Sequence, residues 1–343
     1  MKSIFHILTI LCLAIMIASV DGIASEPRTG TSAAAQLLIP VGARYMAMGG
    51  APISTVEGAD AIFWNPAGVD RSAHVADVTF SRMSHIADIG VNYAALRVRF
   101  EGLGTLGFSL KAMDIGDIDI TTEYAPDGGA GTYSPQFITA GLTYSRLLTD
   151  KISIGTTINF VSESVERISA SGAAFDFGVQ YKGLADVEGL SIGVVVKNIG
   201  PAIQYRGSGF YKNSQIDQAD RGASPLSIVT QKDELPSFIT IGLSYDYVVN
   251  EQSNVTLSSS YTDDGFSDDT IRYGFEYNFD NTFFIRTGYS LSPDAPDDAN
   301  IYGLTAGAGF QYKTEKIGLT VDYTYRDVDF FDASNIFTLS FGF

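Results

Sequence analysis

Cysteine, histidine and tryptophan are scarce in this sequence, and long apolar runs are absent beyond its first two dozen residues. The 343 residues include 1 Cys, 3 His and 1 Trp. A single cysteine excludes a disulfide framework and a cysteine-based metal site. After residue 24 no run reaches the roughly 18 apolar residues of a transmembrane helix, so such helices are excluded there.

Positive charge is also in short supply. The chain has 22 Lys and Arg against 39 Asp and Glu, a formal charge of −17. This balance excludes nucleic acid as a partner, since its phosphates require clustered basic residues. Charged residues make up 18% of the chain, below the ~25% usual for soluble proteins. By contrast, 22 Phe, 18 Tyr and 35 Gly indicate strands rich in glycine and aromatic residues.

Residues 1–24 have the pattern of a secretory signal peptide. Lys2 provides the positive start, residues 7–17 form a short apolar run, and Gly22-Ile23-Ala24 places small residues before a cleavage site. The run is shorter than the ~20 residues that span a bilayer, which disfavours an uncleaved anchor. We expect cleavage near Ala24. Cys12 lies inside the apolar run with no lipobox before it, which disfavours a lipoprotein.

From residue 73 onward, apolar and polar residues alternate with a period of two, the pattern of half-buried strands. The clearest example has Ile317, Leu319 and Val321 on one face and Gly318 and Thr320 on the other. The alternation predicts fourteen strands, over 74–83, 90–100, 103–114, 135–147, 151–163, 172–182, 189–198, 236–248, 253–262, 269–279, 282–292, 300–313, 316–327 and 334–343.

Three features favour a membrane barrel over a soluble sandwich. The strands are about ten residues long, the length that crosses a bilayer at a tilt, and their apolar faces end in Tyr and Phe. Their connections alternate between tight turns at 101–102, 149–150, 280–281 and 314–315 and longer loops such as 115–134, 199–235 and 293–299. Residues 73–343 are therefore predicted to form an all-β membrane protein, a 14-stranded antiparallel transmembrane β-barrel of the bacterial outer membrane.

The carboxyl-terminal strand supports this prediction. Its apolar face ends the sequence with four alternating residues, Phe337, Leu339, Phe341 and Phe343. A terminal strand ending in an aromatic residue resembles the insertion signal that outer-membrane barrels present to the barrel assembly machinery; the alternative is an ordinary edge strand. With this terminus in the periplasm, the longer loops lie on the outer side of the membrane. By alternation, the charged residues expected to face the lumen include Arg97, Arg286 and Asp322.

No residue is predicted to be catalytic and no cofactor is expected. Gly189 to Gly193 matches the GxSxG pattern of serine hydrolases, but it lies within an alternating strand and no histidine follows it. The mature chain has only His74 and His85, too few for a zinc site or a general base with partners. Acidic outer loops are compatible with a divalent cation, but no calcium-loop signature is present, so no metal is assigned.

Residues 25–72 do not alternate. They contain Gly-Ala-Arg at 42–44, Met-Gly-Gly-Ala at 48–51, and an aromatic residue followed by Trp-Asn-Pro-Ala-Gly at 63–68. Small residues allow close backbone packing, and Pro and Gly end regular structure. This arrangement resembles the PorV/PorQ family, which belongs with the FadL-type barrels. By position, the residues that match the family's hatch motif are Gly42, Arg44, Met48, Gly49, Gly50, Trp64, Asn65, Pro66 and Gly68.

The resemblance implies an amino-terminal hatch, residues 25–72, folded into the lumen, with Gly49 and Gly50 against the inner wall. It implies an accessory role in type IX protein secretion, receiving cargo at the outer membrane and delivering it to the cell surface. The alternative that it implies is a FadL-like passive transporter of hydrophobic molecules such as long-chain fatty acids. Expected partners are outer-membrane lipid and, according to the function, secretion components with cargo proteins, or hydrophobic small molecules.

Overall fold

The computed structural model describes residues 30–214, 224–293, 295, 301–314 and 317–343. The predicted signal peptide lies outside these residues. Three acidic positions of the predicted outer loops also lie outside them, namely Asp294, Asp297 and Asp298.

Fourteen long strands form one closed antiparallel sheet within the described residues, and this confirms the predicted barrel. Each strand pairs with the next along the chain, and the last strand pairs with the first. They are β1 Ala76–Ser84, β2 Gly90–Phe100, β3 Gly104–Asp114, β4 Gln136–Leu147, β5 Ile152–Val165, β6 Ile168–Lys182, β7 Leu190–Ile199, β8 Phe238–Asn250, β9 Ser253–Asp264, β10 Thr270–Phe279, β11 Phe283–Leu291, β12 Tyr302–Lys313, β13 Gly318–Val328 and β14 Ser334–Gly342.

The two ends of the barrel differ in their connections. One end carries mostly tight turns, such as 101–103 and 251–252, while the other carries the long connections 115–135 and 200–237. We call these the short-turn end and the long-loop end. In outer-membrane barrels they correspond to the periplasm and the cell exterior.

One predicted loop is wrong. Residues 164–171 were expected to form a connection at the long-loop end, but β5 and β6 extend through them and a two-residue turn, Glu166-Arg167, joins the strands. The extension packs against a hydrophobic cluster at that end, formed by Ala33, Ala34, Leu37, Val161, Ala170, Ala174, Ile203 and Leu235. Burial of these side chains stabilises strand beyond the length that the bilayer requires.

Exposure alternates along the strands as predicted. On β13, Val321 and Tyr323 are exposed on the outer face, whereas Asp322, Thr324 and Arg326 are buried on the inner face. The predicted inward positions Arg97 and Arg286 are almost fully buried. The outer face is thus apolar and aromatic, and the inner face is polar.

Residues 30–72, which we call the amino-terminal segment, form short helical turns joined by irregular chain. The helices are α1 Ala43–Ala47 and α2 Ala61–Trp64, with 3₁₀ turns at Ala35–Leu37, Gly58–Asp60 and Pro66–Arg71. None of the helices in the described ranges is both long enough and apolar enough to cross a membrane. Further 3₁₀ turns lie at Ile86–Asp88, Leu184–Asp186 and Ser208–Phe210.

Four short strand pairings complete the long-loop end. Ile118–Asp119 pairs with Thr132–Tyr133, and Ile203–Gln204 pairs with Lys232–Asp233. Arg206–Gly207 pairs with the start of β6, and Tyr211–Ser214 pairs with Ser224–Ser227 as a hairpin.

Candidate functional site

The amino-terminal segment lies against glycines on the inner face of the barrel strands. A Cβ added at any of eight inward glycines would meet atoms of the segment, at positions 107, 155, 178, 193, 242, 274, 288 and 307. These glycines come from β3, β5, β6, β7, β8, β10, β11 and β12. The absence of side chains at these positions lets backbone approach backbone, so the wall is shaped to receive the segment.

The wall glycines are placed by strand register. Gly155 lies directly opposite Gly178 in adjacent strands, as do Gly193 and Gly242, and Gly274 and Gly288. Each pair leaves a patch of bare backbone on the inner face. Sequence reasoning identified the small residues of the segment and missed these partners. Their period-two spacing from lumen-facing polar residues was an available signal, but only the register shows that they form pairs.

The glycines of the predicted hatch motif have two different surroundings. Gly49 lies against the wall, since its added Cβ would be 3.3 Å from both Tyr273 O and Tyr289 N. Gly50 lies instead against Trp64, whose ring atoms would be 2.7 and 2.9 Å from an added Cβ. Both glycines have positive φ, which disfavours other residues there. Gly49 thus lies against wall backbone, whereas Gly50 lies between Trp64 and the Arg272 side chain of the wall, 3.7 Å from an added Cβ; the role of both glycines stays a prediction.

Three further motif residues form the first half of the segment. Gly42 precedes α1 with φ 84° and lies near the Asp60 carboxylate. Met48 is buried against the backbone of Gly274 and Gly288. The Arg44 Nε lies 3.5 Å from Glu276 Oε2 on the wall.

Asn65, Pro66 and Gly68 form the second half. The Asn65 Nδ2 donates to Ile53 O at 2.9 Å and to Val179 O on the wall at 3.3 Å. Its Oδ1 accepts from Ala67 N at 3.1 Å, which caps the turn that begins at Pro66. An added Cβ at Gly68 would collide with the Val56 carbonyl. These residues fix the local shape of the segment.

Asp70 and Arg71 anchor the segment at the short-turn end, and neither belongs to the predicted hatch motif. The buried Asp70 carboxylate accepts from Arg99 Nε at 3.1 Å, from Leu147 N at 2.8 Å and from the Thr105 hydroxyl. Arg71 donates to Ser153 Oγ and to the Lys151 carbonyl, each at 2.7 Å. Charge-assisted bonds of this kind are among the stronger ones in proteins.

Lysines from the wall bind the opposite side of the segment. Lys111 Nζ donates to Ile39 O at 2.9 Å, and Lys197 Nζ donates to Phe63 O at 2.6 Å. The Lys197 ammonium also lies 3.7 Å from the centre of the Phe63 ring, a cation–π contact. Gln180 adds bonds to the carbonyls of Ile53 and Val56.

The charged residues of the lumen form ion pairs. Arg286 donates to Glu276 and to Asp322, each at 2.5 Å, and Arg97 donates to Asp77 at 2.5 Å. Asp60, on the segment, has an enclosed Oδ1 with no hydrogen-bond partner in the described chain. Burial raises the pKa of Asp60 to about 7, and repulsion from Asp322 adds to this effect while Arg44 opposes it.

Two cavities flank the segment. The cavity toward the long-loop end has a volume of about 180 Å³ and combines apolar walls such as Leu37, Phe63, Trp64 and Phe238 with Lys197, Arg272 and Arg326. The cavity toward the short-turn end, about 210 Å³, is lined by polar residues that include Arg44, Glu57, Lys182, Asp246 and Glu276. The segment lies between an apolar, basic compartment and a polar one.

The histidines and the GxSxG serine lie in ordinary structural surroundings within the described residues. His85 lies in the loop after β1, and its Nδ1 is 3.4 Å from Arg326 Nη2. Ser191 of the GxSxG pattern lies within β7 and is buried. In the described part of the chain, no three His, Cys, Asp or Glu residues converge as a metal site.

Several solved structures have the same fold. The toluene transporter TodX of Pseudomonas putida matches with a TM-score of 0.56 and 13% identity, over 89% of this chain and 99% of that chain. The toluene transporter TbuX of Ralstonia pickettii matches with a TM-score of 0.55 and 13% identity, over 89% and 98%. A FadL homologue of Pseudomonas aeruginosa matches with a TM-score of 0.51 and 12% identity, over 88% and 98%. Within its described residues this protein therefore has the fold of these structures, a closed antiparallel β-barrel.

The family of this protein is identified from its sequence. The family model of type IX secretion system protein PorV matches residues 23–224, which include the amino-terminal segment and β1 to β7. The chain belongs to the PorV family, as its hatch-motif residues predicted. No curated protein sequence matches the chain significantly. Neither the family nor the similar structures are enzymes by their descriptions.

Proposed function

We propose that this protein is a non-enzymatic accessory barrel of type IX secretion, which receives cargo at the outer membrane and delivers it to the cell surface. The observation that carries the proposal is the PorV family match over residues 23–224. The match spans both the amino-terminal segment and half of the barrel strands, so it includes both parts of the molecule.

The amino-terminal segment inside the lumen supports a role in which cargo does not pass through the barrel. The segment is bonded to the wall through Asp70 and Arg71 at one end and through Lys111 and Lys197 further along. Many hydrogen bonds would have to break before a polypeptide could pass. We infer that cargo contacts the outside of the barrel, at its long-loop end.

The connection 200–237 offers a surface for such contact. Its described parts include a hairpin and the chain after it, with exposed Tyr211, Leu226, Ile228 and Val229, the last 84% exposed. Large apolar side chains exposed together are typical of protein interaction sites. We assign this surface, which we call the apolar hairpin, to a secretion component or to cargo.

A deletion strain tests the proposal. Surface display of proteins with the type IX sorting domain and uptake of hydrophobic molecules are measured side by side. We expect cargo to accumulate in the periplasm while uptake is unchanged. The variant with Leu226, Ile228 and Val229 replaced by Ser should also lose display, whereas Tyr124→Ser, at a 97% exposed residue of another outer loop, should retain it. Normal display with lost uptake in the deletion strain would overturn the proposal.

The cavity at the long-loop end favours a second candidate, passive transport of hydrophobic molecules. Its apolar walls and three cationic side chains suit an amphipathic anion, such as a fatty acid. Gly50→Trp would displace Trp64 from this cavity, because no room exists for a Cβ at Gly50. If transport is the function, this variant changes uptake and leaves display intact; the proposed secretion role predicts no change in uptake.

A further inference from the structure

The outer face of the barrel carries an arginine in an otherwise apolar surface. Arg82 on β1 is exposed and points outward, between Phe337 of β14 and Asn92 of β2. Across the next pairs of the same row lie Tyr323 and Ala112. Arg82 has no hydrogen bond or ion pair within the described residues. A cation facing lipid without a partner in its own chain needs an anion from elsewhere.

An open depression of about 450 Å³ lies beside Arg82. It is formed because the side chains of Ala94 and Ala112 are small, while Phe80, Leu110 and Phe337 project around them. Its surface is mostly apolar. Because the depression lies on the lipid-facing side of the strands and its lining is mostly apolar, we expect an acyl chain of the bilayer to occupy it.

The position of Arg82 along β1 indicates which leaflet of the membrane its side chain contacts. Arg82 lies two residues from Ser84, where β1 ends at the long-loop end. With a rise of about 3.3 Å per residue and a tilt of about 40°, its Cα lies roughly 5 Å below the end of the strand. An arginine at this depth extends its guanidinium to the headgroup boundary of the outer leaflet. The phosphates of the inner leaflet lie at the other end of the barrel.

We propose that this groove binds a phosphorylated glycolipid of the outer leaflet, lipopolysaccharide, with a phosphate on Arg82 and an acyl chain over Ala94 and Ala112. Guanidinium groups match phosphate oxygens bidentately, and this geometry distinguishes Arg from Lys. The aromatic rings of Phe80 and Phe337 flank the acyl chain. The site is separate from the lumen and from the apolar hairpin, so it does not depend on the proposed secretion role.

The test is lipid retention by the purified full-length barrel. Barrels are extracted in mild detergent, incubated with purified lipopolysaccharide, and analysed by native mass spectrometry. We expect the wild type to retain the lipid and Arg82→Gln to retain it about tenfold less. Ala94→Trp, which fills the groove and keeps Arg82, should also lose it, and Arg82→Lys should retain an intermediate amount. Arg146→Gln, at an exposed arginine on β4 near the short-turn end, is the matched control and should behave as the wild type.

Each variant is first checked for folding by its migration on unheated gels. Undiminished retention by Arg82→Gln would overturn the proposal, as would equal loss in Arg146→Gln. Retention of phospholipid in place of lipopolysaccharide would overturn the choice of leaflet. If a protein from extracts binds the wild-type barrel and does not bind the Arg82→Gln variant, the choice of a lipid would be overturned.

Discussion

Trp64 is the only tryptophan of the chain, and it lies in the segment between the two cavities. Its indole Nε1 donates to Val41 O at 3.1 Å, and its ring covers Gly50. Fluorescence from this single side chain therefore reports on the seating of the segment without any label. It serves as the measurement for two of the predictions that follow.

The first prediction concerns Asp60. Because its pKa rises from an ordinary 3.8 to about 7 on folding, the folded state holds a proton that the unfolded state has released between those pH values. Stability should therefore fall as pH rises from 4 to 7. Asp322 and Asp77 face Asp60 and strengthen the effect, while Arg44 and Arg286 weaken it. Asp60→Asn should abolish this slope and gain about 1–3 kcal/mol at pH 8.

Urea unfolding of the wild type and of Asp60→Asn in vesicles, followed by Trp64 emission at pH 5 and pH 8, measures how stability changes with pH. The two proteins should differ little at pH 4. A wild type as stable at pH 8 as at pH 5 would contradict the assignment of a protonated Asp60.

The second prediction belongs to the strands as elements. Gly288→Ala places a Cβ where the Met48 and Gly49 backbone lies, so the segment must move away from the wall. We expect a red shift of Trp64 emission and faster proteolysis within residues 42–72, with the barrel intact. Gly265→Ala is the control, because nothing lies within 4 Å of its added Cβ. Identical behaviour of the two variants would show that the wall glycines do not seat the segment.

The third prediction tests the two faces of β13. Val321, the fourth of the eleven residues of β13, is exposed on the lipid face, and Thr320 faces the lumen. Val321→Arg should cost more than Thr320→Arg, up to roughly 2–4 kcal/mol, since a charge on the lipid face loses its hydration. Equilibrium unfolding in lipid vesicles gives both values. Equal costs would mean that the face assignment is wrong.

Strand positions were predictable because period two and turn residues act locally. The predicted bounds agree with the structure to within a few residues, apart from the 164–171 region. There, Ser164-Val165-Glu166-Arg167 is polar and resembles a loop, whereas tertiary contacts with Leu37 and Ile203 extend both strands. Local sequence carries no record of such a distant partner.

At the scale of the whole molecule, closure of the barrel depends on its last strand. The Phe343 carbonyl accepts from Val75 N at 2.8 Å, and Phe343 N donates to Ala76 O at 2.9 Å. The predicted insertion residues Phe337, Leu339 and Phe343 are exposed on the lipid face. Their role as an insertion signal stays a prediction.

The fourth prediction tests that role. Deletion of Phe343 should lower the amount of heat-modifiable protein in outer-membrane fractions severalfold, because both the seam and the terminal aromatic residue are lost. Asp332→Asn, in the exposed loop before β14, should leave it unchanged. Equal assembly of the two variants would remove Phe343 from the insertion signal. Recovery of the wild type as a soluble periplasmic protein would contradict the location.

The candidate site was predictable only in part. The motif residues lie along the segment as a sequence pattern can indicate, and Asn65 and Gly49 both make close contacts. The contacts that Lys111 and Lys197 make with the segment were not predicted, because both lysines donate to backbone carbonyls far away in sequence. Backbone acceptors carry no residue signature.

The ring of wall glycines has a consequence for the order of assembly. The segment precedes all fourteen strands in the chain, yet it is touched from β3 around to β12. If the barrel closed before the segment was inside, the segment would have to enter the lumen through one open end. It would then have to form the bonds of Asp70 and Arg71 at the short-turn end. The strands are instead expected to gather around a segment already in place, which makes it an internal template for their own closure.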